Sequence, residues 1–402
     1  MPEVEFRPAR SEEMPAVAFN AARQMGMPVG MFTGMPPEWT LCAFVDGDLA
    51  STYAAWPLTI RFNGNPVPVA GVTWVSTHPA YRRRGFIRKI IQYHFESIHE
   101  EGKQAQAALH PAKAAIYRRF GYGQITERRT YRIEPRDIVW AHPLEVPGRL
   151  REASIEDEFG TLVDVYRRYR ERRNALMHRG RAMWDAGPID EPPPGHKRTV
   201  LLYEEDGKAL GYVILTTGPG PEADRWAAPM VMTVQDLFGI TAEAHRAIWT
   251  ALASYDNVRE IRWPNAPVDD PLREMLLEPR LLNMRLRDGI MARLVSVDDA
   301  LAQRSYPQES VLRFELRDNL CPWNEGRWEL VTELEGGTVQ RTDTAPDFVL
   351  TPDILAQLAW GRVTASECAR AGLIGPADGK ILERWDNALR TAYPPHEAEH
   401  TW

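Results

Sequence analysis

Hydrophobic and polar positions along this chain fall into alternating helical and strand rhythms. Residues 11–25 predict a helix, opened by Ser11 with Glu12 and Glu13 near its positive end. Residues 41–60 predict a hairpin: LCAFV, a turn at Asp46-Gly47-Asp48, then LASTYAAWPLTI. PVAGVTWVST, residues 68–77, reads as a further strand. In YRRRGFIRKIIQYHFESIHEEGK the apolar residues Ile87, Ile91, Phe95 and Ile98 recur at spacings of four, four and three, which is one helix face. QAQAALH follows as a short strand and AKAAIYRRF as a short helix ending at Gly121; TERRTYRIE closes the segment as a strand.

Residues 135–150, with prolines at 135, 143 and 147, read as a linker. Beyond it the pattern repeats. A helix near 154–179 and a break at Pro192-Pro193-Pro194 precede a hairpin, VLLYEE and ALGYVILTT, around Asp206-Gly207. A strand (230–237), a helix from Thr241 and a strand (258–263) complete what looks like a diverged copy of the first segment. The final stretch changes character. VLRFELRD and GRWELVTELEGGTVQRT predict antiparallel strands, and three short helices follow. Thr351 and Pro352 open the first helix, Thr364…Glu367 has capping-box spacing in the second, and Ile381, Trp385 and Leu389 share a face of the third. The expected fold class is α/β, with α+β character, in three segments: 1–150, 151–290 and 291–402.

Composition narrows the class. At 402 residues the chain is too long for one core. It has 44% hydrophobic and 26% charged residues, as a folded soluble protein does. A net charge of −7 argues against a dedicated nucleic-acid binder. Cys42, Cys321 and Cys368 are too scattered for a disulfide framework or a metal site, which fits a cytoplasmic location. No signal peptide and no spanning stretch is expected, hence no membrane partner.

The candidate chemistry lies in VSTHPAYRRRGFIRKI, residues 75–90: a strand, a basic turn with one glycine, then an amphipathic helix. A helix N-terminus behind such a turn directs backbone N–H groups and the positive dipole end at one spot, which suits phosphate oxygens. Gly85 allows close approach of the backbone. Arg82, Arg83 and Arg84 fit a phosphate contact, and equally a solvated basic turn. About thirty residues later comes a second βα unit, IYRRFGYG.

Arg82-Arg83-Arg84-Gly85 resembles the R-x-x-G-x-G/A pyrophosphate turn of the GCN5-related N-acetyltransferases (GNAT), and IYRRFGYG (116–123) resembles their second helix, whose tyrosine faces the thioester. AGVTWVSTHPAYRRRG, ALHPAKAAIYRRFGYG and ITAEAHRAIWTAL are similar to the enhanced intracellular survival (Eis-like) subfamily. The resemblance implies tandem GNAT-like folds: an acetyl-CoA-binding domain over 1–150, a degenerate one over 151–290, and a sterol-carrier-protein-like α+β domain over 291–402 that ends in the catalytic C-terminus. It implies an acetyl-CoA-dependent N-acetyltransferase acting on a primary amine, a small polyamine or aminoglycoside or a lysine side chain, by direct attack in a ternary complex. It further implies acetyl-CoA as co-substrate, no need for a metal, and a homo-oligomer, a hexamer. The alternative is a non-catalytic acyl-CoA or apolar-ligand binding protein with a degenerate site.

The resemblance assigns residues as well. The backbone of Val75, Ser76 and Thr77 would pair with the pantetheine arm. Arg83, Arg84, Gly85, Phe86, Ile87 and Arg88 would hold the pyrophosphate, with Ala112 and Lys113 in the neighbouring loop. Tyr117 would be the general acid: a phenol near pKa ~10 stays protonated where a thiol near ~8.5 is leaving. The terminal carboxylate of Trp402 would be the base, useful only if burial raises it from about 3.5. The chain departs from the pattern at three places. Ile87 stands at the third small position of the turn. Pro111-Ala112-Lys113 replaces a loop that commonly carries Ser-Glu. Thr401 stands where an acid would help hold aminoglycosides, with Glu397 and Glu399 nearby. The second copy has Gly239 but no arginine turn, so it is expected to bind no coenzyme A.

Other features stay open. His78, His94, His99 and His110 lack metal spacing, and His110 fits either packing or the pocket wall. Met25, Met27, Met31 and Met35 with Trp39 fit core filler or an adaptable pocket wall. Tyr166-Arg167-Arg168-Tyr169-Arg170 is expected on a surface helix face or an oligomer contact.

Overall fold

The computed structural model describes residues 3–220 and 230–399. Its first part runs β1 (Val4–Arg7), α1 (Met14–Met25), β2 (Cys42–Val45), β3 (Asp48–Phe62), β4 (Asn65–Thr77), α2 (Phe86–Glu101), β5 (Gln106–Leu109), α3 (Ala114–Arg118) and β6 (Gly123–Gln124). Next come β7 (Glu127–Ile133), β8 (Arg149–Glu152), α4 (Ile155–Arg170), α5 (Arg181–Asp185), β9 (Lys197–Glu205), β10 (Lys208–Pro219), β11 (Met230–Gly239), α6 (Ala242–Ala253), β12 (Val258–Pro267), α7 (Leu272–Met275) and β13 (Arg285–Asp288). The remainder is β14 (Met291–Leu294), α8 (Val297–Ala302), β15 (Ser310–Leu316), β16 (Gly326–Glu333), β17 (Gly336–Arg341), β18 (Phe348–Leu350), α9 (Pro352–Ala359), α10 (Ala365–Arg370) and α11 (Gly379–Leu389).

These elements form two compact units, residues 1–125 with 290–391, and residues 126–289 with the tail from Ala392. The first unit holds a seven-stranded sheet in the order β1-β2-β3-β4-β5-β14-β6 and a four-stranded sheet, β17-β16-β15-β18. The second holds a seven-stranded sheet, β13-β7-β12-β11-β10-β9-β8. Both large sheets have one parallel pair at their centre, β4/β5 and β11/β12, and each pair is flanked by antiparallel strands. The repeat read from the DG hairpins is thus present as topology.

Two strands lie outside the segments to which their sequence positions point. β7 lies within TERRTYRIE, read as the strand closing the first segment, yet it pairs with β12 and β13 in the second sheet. β14, at the start of the third segment, pairs with β5 and β6 in the first sheet. Alternation marks a strand and its buried face but not its partner, so either sheet satisfies the pattern. The helix expected near 154–179 ends at Arg170; beyond it Ala175 is left-handed (φ 67°) and Asn174 bridges to Pro395. The surface expectation for Tyr166 through Arg170 holds at Arg167, which is exposed, and is corrected at the two ends of the run. Tyr166 and Arg170 are buried, and the Tyr166 hydroxyl donates to Met177 O at 2.8 Å.

In the first unit, Arg293 fastens the C-terminal part to the first sheet, and Arg304 ties the C-terminal part together internally. Arg293 on β14 donates to both oxygens of Asp318 at 2.7 and 2.5 Å and to Phe120 O at 2.6 Å. Arg304 is fully buried and donates to the carbonyls of Ala359, Ser305 and Leu389 at 2.5–2.9 Å, while burial lowers its guanidinium to about 10. The Trp360 indole donates to Gln106 Oε1 at 3.0 Å on β5, and its ring packs on Phe62 at 4.4 Å. Among the described residues no helix is long and apolar enough to cross a membrane.

Candidate active site

The site is built where β4 and β5 part. They pair from Val69/Gln106 to Val72/Leu109 and no further. β4 continues to Thr77 paired only with β3, so among the described residues its other edge has no strand partner over Val75, Ser76 and Thr77. A bulge accompanies the parting. Trp74 is left-handed (φ 55°), and the β3/β4 register shifts between Thr52 and Ala54. The seam below is polar and closed. Ser76 Oγ meets Thr52 Oγ1 at 2.6 Å and accepts from Asn20 Nδ2 at 3.0 Å; Thr52 Oγ1 reaches Trp74 O at 2.7 Å. The Ser76 hydroxyl is engaged within the protein, which leaves its backbone as the group to meet a ligand.

The basic turn follows directly. Arg82 is held by Thr77 O (3.3 Å) and Gln24 Oε1 (2.8 Å), whereas Arg83, Arg84 and Arg88 are exposed. Arg83 (φ 64°) and Gly85 (φ 81°) are both left-handed. Glycine adopts that conformation freely, while Arg83 carries a penalty of about 1–2 kcal/mol. A side chain at Gly85 would meet nothing within 4 Å, so the space before the helix is open. α2 starts at Phe86 with Gly85 as N-cap and no side-chain cap. Among the described residues no side-chain oxygen caps its first amides, which suits an anion at the dipole's positive end. Phe86 is buried and Ile87 packs on the same core, anchoring the helix start. The bulkier Ile87 at the third turn position is thereby accommodated by core packing.

Tyr117, on α3, belongs to that core cluster together with Tyr53 and Tyr122. It is 7% exposed, and burial pushes its phenol up to about 12. Tyr122 packs edge-on at 6.0 Å. Tyr53 shares a 2.7 Å hydrogen bond with His94 Nδ1, and burial lowers His94 to about 4, so His94 is a neutral core group. Ala112 and Lys113 are exposed in the loop before α3, and Lys113 is its N-cap without a side-chain bond. His110 is half-buried. Among the described residues, no group of three or more His, Cys, Asp or Glu side chains is arranged to hold a metal.

The structure thus brings the β4 edge, the turn, the start of α2 and Tyr117 together in one unit. Trp402 and Thr401 lie outside the described residues. Glu397 and Glu399 are buried in the second unit, where Glu399 Oε1 accepts from Arg179 Nε at 2.5 Å. Sequence reading missed the Asn20–Ser76–Thr52 seam, although a polar Asn20 among Val17, Ala18, Ala21 and Ala22 on the buried part of α1 was a signal. The methionine loop divides: Met35 is buried with Phe32, whose ring lies 5.6 Å from Trp74, and Met25 and Met31 are exposed. In the second unit α6 differs from α2 at its start. Thr241 Oγ1 accepts from Ala244 N at 3.1 Å, and no arginine turn precedes it.

Comparisons with known proteins agree with this geometry. Residues 5–125 and 175–294 each match an acetyltransferase (GNAT) domain family, and residues 297–397 match the sterol carrier protein domain. An uncharacterized N-acetyltransferase of Streptomyces avermitilis is 30% identical over 360 residues, 87% of this chain and 86% of its own. N-acetyltransferase Eis of Mycobacterium tuberculosis is 29% identical over 340 residues, 83% of this chain and 80% of its own. The crystal structure of Eis1 from Mycobacterium abscessus superposes with a TM-score of 0.81 at 27% identity, covering 98% of this chain and 99% of that one. With tandem acetyltransferase folds, a sterol-carrier-protein-like domain and relatives matched over most of its length, the chain belongs to the Eis-like GCN5-related N-acetyltransferases and is an acyltransferase.

Proposed function

We propose that the chain transfers an acetyl group from acetyl-CoA to a primary amine by direct attack within a ternary complex. The observation that supports this most is the uncapped start of α2, set behind an exposed arginine turn and beside the unpaired edge of β4. On this reading the backbone of Val75, Ser76 and Thr77 binds the pantetheine arm as an added strand would. The amides from Arg83 through Gly85, Phe86, Ile87 and Arg88 hold the pyrophosphate, and the Arg83, Arg84 and Arg88 side chains add charge from outside. Ala112 and Lys113 border the same opening, where the exposed Lys113 ammonium suits a phosphate oxygen better than a cationic acceptor.

The reaction forms a nitrogen–carbon bond and breaks a carbon–sulfur bond. Tyr117 hands its proton to the departing sulfur, which its high pKa permits because the phenol is protonated at neutral pH. The amine gives up a proton to a base, the role the resemblance assigns to the carboxylate of Trp402. The acceptor is a small polyamine or aminoglycoside or a lysine side chain, in keeping with a net charge of −7. We infer a cytoplasmic homo-oligomer, a hexamer on the family resemblance, and a second acetyltransferase unit that binds no coenzyme A. The absence of an arginine turn before α6 supports the last point. Thiol release from acetyl-CoA, measured against polyamines, aminoglycosides and lysine peptides, tests the proposal. Release with none of these amines overturns it.

A further inference from the structure

The second unit has an opening of its own, in the place where its parallel strands part. β11 and β12 pair only from Met230/Val258 to Thr233/Arg262. Farther along, Leu237 and Gly239 of β11 and Trp263 of β12 border a cavity of about 190 Å³. Gly239 lets α6 come close: a Cβ there would lie 3.0 Å from the His245 backbone.

The polar lining of this cavity has two opposite characters. At one side is Asp270, 5% exposed. Its Oδ1 receives the Tyr131 hydroxyl (3.3 Å) and the Leu272 N–H (3.1 Å). Its Oδ2 faces His245 Nε2 at 3.4 Å, and this nitrogen, also deeply buried, makes no hydrogen bond among the described residues. Burial lowers the His245 imidazole, so it gives the Asp270 carboxyl no full counter-charge, and that carboxyl, buried without a cation, is pushed up. At the other side are Arg173 and the start of α6. Arg173 stacks over Tyr169 at 4.4 Å and pairs with Asp269 at 2.6 Å. Thr241 caps only the Ala244 N–H, which leaves the amides of Ala242 and Glu243 without an intrahelical partner.

We propose that this cavity is a binding site for a small amino-acid zwitterion, with the ammonium on Asp270, the carboxylate toward the α6 N-terminus and Arg173, and an apolar side chain against Trp263 and Met275. A buried carboxylate without a cation is unfavourable, and an ammonium beside aromatic walls relieves it. A simple amine would be opposed by Arg173 and the helix dipole, and a simple acid by Asp270. Only a ligand carrying both charges meets both ends. The size agrees. The cavity is somewhat larger than the ~150 Å³ that accommodates a benzene ring and below the ~300 Å³ at which drug-sized pockets begin. The site does not depend on the proposed acetyl transfer.

The test is calorimetric titration of the full chain with L-phenylalanine, and with phenylethylamine and 3-phenylpropionate as its two halves. The expected result is saturable binding of the amino acid at one site per chain, with each half weaker by about tenfold or more. Asp270→Asn and the cavity-filling Ala242→Trp should each weaken binding at least about tenfold, while turnover with acetyl-CoA stays at the wild-type level. Asp270 takes part in internal hydrogen bonds, so Ala242→Trp at the exposed helix start is the variant that keeps the test independent of folding. Absence of saturable heat at millimolar ligand, equal binding of phenylethylamine alone, or undiminished binding in Ala242→Trp would overturn the proposal.

Discussion

Tyr117→Phe removes one oxygen and keeps the ring. Burial accounts for the raised phenol, and among the described residues no hydrogen bond to its hydroxyl contributes, so none of their contacts is lost in the variant. Its thermal midpoint should stay within about 2 °C of wild type, since 1 kcal/mol moves a domain of this size by roughly 2–4 °C. The chemical step, in contrast, loses its proton donor. General acid catalysis contributes about 10²–10⁴-fold, or ~2.7–5.5 kcal/mol at about 1.4 kcal/mol per decade. The expected outcome is a fall in kcat of about a hundredfold or more, with KM for acetyl-CoA within about threefold of wild type, read from thiol release. The group must be protonated to act and titrates near 12, so it contributes no loss of rate as pH rises from 6 to 10. A variant that keeps kcat within about threefold of wild type would refute the assignment of Tyr117 as the acid.

The double variant Arg83→Ala/Arg84→Ala should raise KM for acetyl-CoA about tenfold or more with kcat little changed, and the loss should shrink as salt is added. A one-residue extension beyond Trp402 should lower kcat while acetyl-CoA binding, followed by calorimetry, is retained; unchanged turnover removes the base role. Arg293→Met leaves Asp318 buried without its cation and should destabilise the first unit by about 3 kcal/mol or more in urea titrations. Adding Asp318→Asn should recover part of that loss. Glu397 is buried, and burial raises its carboxyl from 4.5 to about 7. The stability carried by its protonated form is therefore present below pH 4.5 and lost as pH rises through 7. His396 beside it is lowered by burial from 6.5 to about 3, so its contribution is present above pH 6.5 and lost as pH falls. The two slopes oppose. Glu397→Gln should leave the His396 slope alone, giving a thermal midpoint that climbs more steeply from pH 5 to 7 than in wild type. A variant with an unchanged pH profile contradicts the buried, neutral Glu397.

Much of the fold was legible because its signals are local. The Asp-Gly hairpin turns, the period of α2 from Ile87 to Ile98, and the Thr364…Glu367 capping box all act within a few residues, and all form. The pairing of β7 with the second sheet and of β14 with the first was not legible. Each strand's alternation fits any antiparallel partner, and the choice is made by packing more than a hundred residues away. The candidate site divides along the same line. The arginine turn and Tyr117 stand out as residue types at a spacing. The bulge at Trp74 carries no glycine to announce it, and Arg83 adopts a left-handed backbone that sequence alone would assign to glycine. Tyr166 and Arg170 misled for a related reason: a charged run reads as a surface, and Arg167 is exposed, but Tyr166 is buried with Trp184 and Phe238, where the Arg179 guanidinium lies 4.1 Å from its ring.

One acetyl-CoA is expected to bind per chain, at the start of α2 beside the β4 edge, while α6 of the second unit, with no arginine turn before it, binds none. Calorimetric titration of acetyl-CoA into the full chain measures this directly. The expected stoichiometry is one site per chain, weakened about tenfold or more in Arg83→Ala/Arg84→Ala. Two sites per chain, or affinity unchanged in that variant, would contradict it.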